Sequence, residues 1–112
     1  MRRVPELNRP MVLEDRVLAP DMMGGQLVSW IALGTHWCEL VARSMALRLL
    51  GDQGQAKGTA RILLRAVAPD VPSRPKTGQR FRDGARIFNI ISVSEADAEG
   101  RFLECQVSEV QR

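Results

Sequence analysis

The chain has no tyrosine, one histidine, two cysteines, two tryptophans and three phenylalanines. So few rings argue against a carbohydrate site or a single-stranded nucleic-acid stacking platform, both of which need exposed aromatic faces. One histidine and two widely separated cysteines offer no metal-ligand spacing. Cys38 and Cys105 fall inside expected strands and are read as small buried hydrophobes in a reducing compartment. No stretch approaches the roughly 18–20 apolar residues of a membrane span, so no membrane partner is expected. Arg2 and Arg3 are not followed by an apolar run, so no signal peptide is expected. There is no P-loop, dinucleotide fingerprint, carboxylate pair on one element or nucleophile elbow. Gly24-Gly25 and Gly51–Gly54 lack the lysine and helix context of a phosphate cradle. No catalytic, cofactor or metal residue is therefore assigned, and the chain is read as a non-enzyme without cofactors.

What is present is a strand former's sequence. The chain has 112 residues, 45% apolar and 26% charged, enough for one domain with its own core. Its centre is Gly78–Glu95. Gln79–Arg82 is extended, Asp83-Gly84 supplies a tight turn, and Ala85–Val93 is rich in Ile, Phe and Val. Alternation puts Ile87, Ile91 and Val93 on one face and Phe88 and Ile90 on the other. A strand apolar on both faces needs cover on both, and a neighbouring subunit is the expected cover for one. Further strands are expected at Met11–Leu18, Gln26–Leu33, His36–Ala42, Thr59–Val67 and Arg101–Val110, with Gly34-Thr35 as a break and Ala68–Thr77 as a proline-rich loop. The pattern predicts an all-β fold, a small antiparallel barrel or sandwich of about six or seven strands. Residues 1–10 are read as an N-terminal arm and 11–112 as the single domain.

Residues 43–58 interrupt the pattern. Arg43–Leu50 has the spacing of a short helix, followed by a Gly- and Gln-rich flexible tether. Such an insertion is either functional or a mobile surface loop. His36 and Trp37 fit edge-of-core packing; a general base would need partners that the sequence does not supply.

Net charge is +3, unevenly placed. Arg61, Arg65, Arg80, Arg82 and Arg86 lie in the basic middle, while Glu95, Asp97 and Glu99 open an acidic end. Two readings stand: a solvated mixed surface, or head-to-tail docking of copies. The same arginine row also suits a small basic barrel that binds nucleic acid as a free module. A ligand-binding barrel would need a closed cavity with converging polar groups.

The order of short motifs carries a resemblance. A first strand is followed by Gly24-Gly25, Trp30, Gly34-Thr35-His36-Trp37-Cys38-Glu39-Leu40, an insertion, Arg61-Ile62-Leu63-Leu64-Arg65, and Gly78 through Ile90. This resembles the phage head–tail joining family, also called head–tail adaptor or head-completion (stopper) proteins, over about residues 11–110. The arginine-rich, lysine-poor character is similar to members from alphaproteobacterial gene transfer agents. Cys38 departs from the small residue expected there. The resemblance implies a structural ring, usually of six copies, in the neck of a particle assembled in the bacterial cytoplasm. Its partners would be the portal or adaptor ring above, a tail terminator or tail tube protein below, and packaged double-stranded DNA held without base readout. It implies a channel-facing loop at residues 43–58, where Arg43, Arg48 and Lys57 would meet phosphates. The ring and partner interface is expected to use Arg61, Arg65, Arg80, Arg82, Arg86, Phe88, Ile90, Glu95, Asp97 and Glu99.

Overall fold

The computed structural model describes residues 4–42 and 58–110. The expected short helix, the tether, and Arg43, Arg48 and Lys57 lie outside the described residues. Those described form six strands and no helix: β1 (Arg9–Pro20), β2 (Gln26–Ala42), β3 (Thr59–Arg65), β4 (Arg80–Asp83), β5 (Arg86–Glu95) and β6 (Phe102–Glu109). Every pairing is antiparallel, in the order β1-β2-β3-β6-β5-β4, and β4 returns to β1, which closes the sheet into a barrel. The all-β expectation holds, with six strands.

The core follows from alternation, since inward and outward residues take turns along each strand. Met11 and Leu13 of β1, Cys38 of β2, Ile62 and Leu64 of β3, and Leu103, Cys105 and Val107 of β6 all point in. Phe81 of β4 and Phe88 and Ile90 of β5 complete the core. Burying each large side chain contributes about 1.5–3 kcal/mol.

Three expectations need correction. Gly34-Thr35 does not end a strand, because β2 runs through it. Leu13 faces Gly34 and the next pair is Glu14 with Ala32, so Leu33 is an extra residue. Gly34 takes φ 142°, which a side chain would resist, and the strand bends instead of stopping. Second, the Gly84-Ala85 pair, rather than Asp83-Gly84, forms the two-residue turn, since Asp83 pairs with Arg86. Glycine first, at φ 61°, is the placement of a type II′ hairpin. Third, β5 carries an irregularity between Ile90 and Ser92. The slip flips the alternation, so Val93 packs on the core with Phe88 and Ile90 while Ile91 is left 53% exposed outside.

The ladders also show where the sheet is incomplete. β1 touches β4 only through Val12–Glu14, and β2 touches β3 only through Cys38–Ala42. Beyond those limits β1 and β2 continue as a two-stranded ribbon, a hairpin arm, on a molecule measuring 55 × 36 × 23 Å.

Candidate assembly surface

On the barrel's surface four of the five described arginines expected at the ring interface have a carboxylate of the same chain. Arg61 Nη1 lies 3.4 Å from Glu104 Oε1. Arg86 makes a two-pronged contact with Glu109, Nε to Oε2 at 2.8 Å and Nη2 to Oε1 at 3.0 Å. Arg80 and Arg82 both donate to Glu14, at 2.7 and 2.9 Å. Topology is the cause: β6, carrying Glu104 and Glu109, sits between β3 and β5, which carry Arg61 and Arg86. Segments of opposite charge in the chain thus become neighbours in one sheet. The expected head-to-tail complementarity is largely used up within one copy. Arg65 is the exception. It is exposed, has no carboxylate partner among the described residues, and lies over the Phe102 ring at 5.7 Å.

The acidic residues are likewise put to local use. Asp97 is buried, and its carboxylate accepts from the backbone N–H groups of Arg101 and Phe102 and from the Arg101 side chain. Burial pushes the Asp97 carboxyl up, yet those donors outweigh it and hold it below its ordinary value. Asp97 therefore organises the turn before β6 and is withdrawn from any partner. Phe88 and Ile90 are 0% and 4% exposed, so these two expected interface residues belong to the core and offer no side-chain surface. Glu95 and Glu99 are exposed.

His36 Nε2–H donates to the Ser73 carbonyl oxygen at 2.7 Å, and its ring meets Phe81 edge-on at 6.3 Å. This is core-edge packing, and it pins the proline-rich loop 68–77 across β2 next to the Gly34 bend. Cys38 and Cys105 are free and buried, and burial pushes both thiols up to about 12.

Sequence reasoning missed the arm, whose strands run through Asp15–Pro20 and Gln26–Leu33. It is apolar on the outside, with Leu18, Leu27, Val28 and Ile31 each about half exposed. At its tip Met22 and Met23 are 92% and 87% exposed. The Asp21 carboxylate fixes the tip by accepting from the N–H groups of Met23 and Gly25, both at 2.8 Å, which hold its carboxyl below the ordinary value. Met22 adopts φ 65°, which costs a side chain roughly 1–2 kcal/mol. The signal that was available is charge: between Val17 and Leu33 the only charged residue is Asp21. At its root the arm is held by the Glu14–Arg80–Arg82 cluster and by Trp30, whose ring stacks 3.9 Å from the Arg80 guanidinium.

On the outside of β3 and β6 lies a second small apolar cluster. Leu63 and Phe102 face outward yet are only 9% and 8% exposed. They line a surface hollow of about 200 Å³ with Val4, Pro5 and Ala96. Among the described residues no group of His, Cys, Asp or Glu is arranged to hold a metal, and no helix is long and apolar enough to cross a membrane.

A closed six-stranded barrel with internally paired surface charges and one projecting apolar arm is the frame of an assembly module. The chain belongs to the phage head completion protein family, whose model matches residues 2–110. It is similar to a chain in the structure described as the virion of native gene transfer agent (GTA) particle. That match has 36% identity and a TM-score of 0.71, covering 96% of this chain and 98% of the other. Protein SF1141 from Shigella flexneri 2a shares the fold at 23% identity and a TM-score of 0.69, with 96% of each chain covered. No curated protein matches.

Proposed function

We propose that this chain is a structural neck protein of a tailed, phage-like particle of the gene-transfer-agent type. Copies form a ring, six by family resemblance, between the portal or adaptor ring of the DNA-filled head and the tail terminator or tail tube. The ring acts as a stopper that helps retain packaged double-stranded DNA, and no catalysis is involved. The observation that carries this reading is the family match over residues 2–110, joined to 36% identity over nearly the whole chain with a protein of a gene transfer agent virion. Assembly would take place in the bacterial cytoplasm. DNA contact would fall to Arg43, Arg48 and Lys57, as loose phosphate contacts that permit later release.

The competing reading, a free nucleic-acid-binding barrel, is disfavoured by the pairing of Arg61, Arg80, Arg82 and Arg86 with carboxylates of the same chain. Deleting the gene from a producing strain tests the proposal. Filled heads that leak DNA and lack tails are expected, and normal tailed particles would refute it. Neutralising Arg43, Arg48 and Lys57 together tests the stopper role. Full DNA retention in otherwise normal particles would show that this loop is no plug.

A further inference from the structure

We infer that the tip of the hairpin arm, Met22 and Met23, seats in the Leu63–Phe102 hollow of a neighbouring copy, so that successive copies are joined tip to hollow. This rests on the ring reading above and names the contact that closes the ring. Four observations carry it.

The first is the composition of the arm. From Val17 to Leu33 its one charged residue is Asp21, whose carboxylate is occupied within the turn. Interface cores are depleted in charge and enriched in methionine and aromatic residues. DNA needs cations, and this stretch has none, so the occupant is protein.

The second is the tip itself. Met22 is held at positive φ and almost fully exposed, an arrangement in which Gly would sit without strain and Asn with less. Strain of this kind points to a role for the side chain. Methionine is long, unbranched and adaptable, which suits it to entering a pocket.

The third is the hollow. It is lined by the apolar Leu63, Phe102 and Pro5, by the Arg61–Glu104 and Arg101–Asp97 pairs, and by Glu39. A cavity of about 150 Å³ holds a benzene-sized guest, so about 200 Å³ admits a methionine side chain. Because Arg61 is paired with Glu104 and Arg101 with Asp97, a neutral apolar guest covers these four without stranding an ion.

The fourth is position. Gln26 opens β2 at the tip, and Glu39, which also lines the hollow, lies toward the other end of the same strand. At about 3.3 Å per residue the two are roughly 40 Å apart along the strand. Tip and hollow cannot meet within one copy. Two different patches that complement each other between copies make a head-to-tail contact, which closes a ring or runs on as a filament.

Particles carrying Val4→Cys with Met23→Cys provide the test. The native Cys38 and Cys105 are fully buried and do not compete. Mild oxidation is expected to give a covalent ladder of this chain, absent from either single-cysteine variant. Capture of position 23 by a different particle protein, or no linkage in assembled particles, overturns the contact and leaves the neck reading intact. Absence of the native chain from particles overturns both. A second variant, Met22→Asn with Met23→Ser, is expected to keep the melting temperature of the purified chain and to lower the yield of tailed particles at least tenfold. An unchanged yield overturns the inference.

Discussion

Glu14 is the residue whose removal is most informative about how the arm is held. It is 6% exposed and lies next to the Gly34 bend, and it is the common acceptor for Arg80 and Arg82. Arg80 is 18% exposed and also stacks on Trp30, whereas Arg82 is 42% exposed. A hydrogen bond to a charged group contributes about 1.5–3 kcal/mol. The Arg82 share, half in solvent, is held to at most about 1 kcal/mol. Relief of Glu14 desolvation returns part of this. Glu14→Gln keeps the shape and one acceptor, so the net loss is about 1–3 kcal/mol at pH 7. At about 4 °C per kcal/mol for a domain of this size, that is a drop of about 4–12 °C in Tm. Burial pushes the Glu14 carboxyl up, but Arg80 and Arg82 outweigh it and hold it below the ordinary value of 4.5. Its stabilisation is therefore present above that value and lost as pH falls through the lower, folded-state value. The wild-type advantage over Glu14→Gln should shrink as pH falls below the ordinary value of 4.5. Thermal melts at pH 7, 5 and 3 measure it. A difference under about 0.5 kcal/mol at pH 7, or one that ignores pH, would refute the clamp.

Other perturbations separate core from surface. Leu64→Ala, at a fully buried position, should cost about 2–5 kcal/mol in urea titration, while Ile91→Ala in the isolated chain should stay within about 0.5 kcal/mol. Gly84→Ala meets no atom within 4 Å, so its cost, about 1–2 kcal/mol, comes from the φ of 61° alone, and Ala85→Gly nearby should be milder. Cys38 and Cys105 should resist alkylation at pH 8 in the native chain and react at once in denaturant, because burial pushes both thiols up to about 12.

How much of this was legible in the sequence depends on whether the signal was local. Alternation located β3 and β6 closely, since Ile62/Leu64 and Leu103/Cys105/Val107 face inward as their spacing implies. It failed where a bulge reset the phase, at Leu33 and at Ile91, because an extra residue on one strand is visible only against its partner. The arm was hidden for the same reason. Gln26–Leu33 carries the composition of a buried strand, and only the limits of the β2–β3 and β1–β4 ladders show that no third strand among the described residues lies beside it. Charge was the hardest property to place. Glu14 is far in sequence from Arg80 and Arg82, and nothing local to either segment announces the pairing.

That pairing yields a number that separates an assembly module from a nucleic-acid binder. Each phosphate neutralised on duplex DNA contributes about −0.9 to the slope of log affinity against log salt. Five free arginines at positions 61, 65, 80, 82 and 86 would give a slope of about −4.5. Four of them are committed to Glu104, Glu14 and Glu109, and only Arg65 has no carboxylate partner among the described residues. Breaking such a pair to reach a phosphate exchanges one anion for another and strands a carboxylate beside the DNA. Measured as the difference in filter-binding slope between the native chain and one with all five arginines replaced by Gln, between about 50 and 200 mM salt, the row should contribute no more than about −1. A value near −4 would mean that the carboxylates release their arginines when DNA arrives, and the outer barrel face would then be a phosphate-binding surface after all.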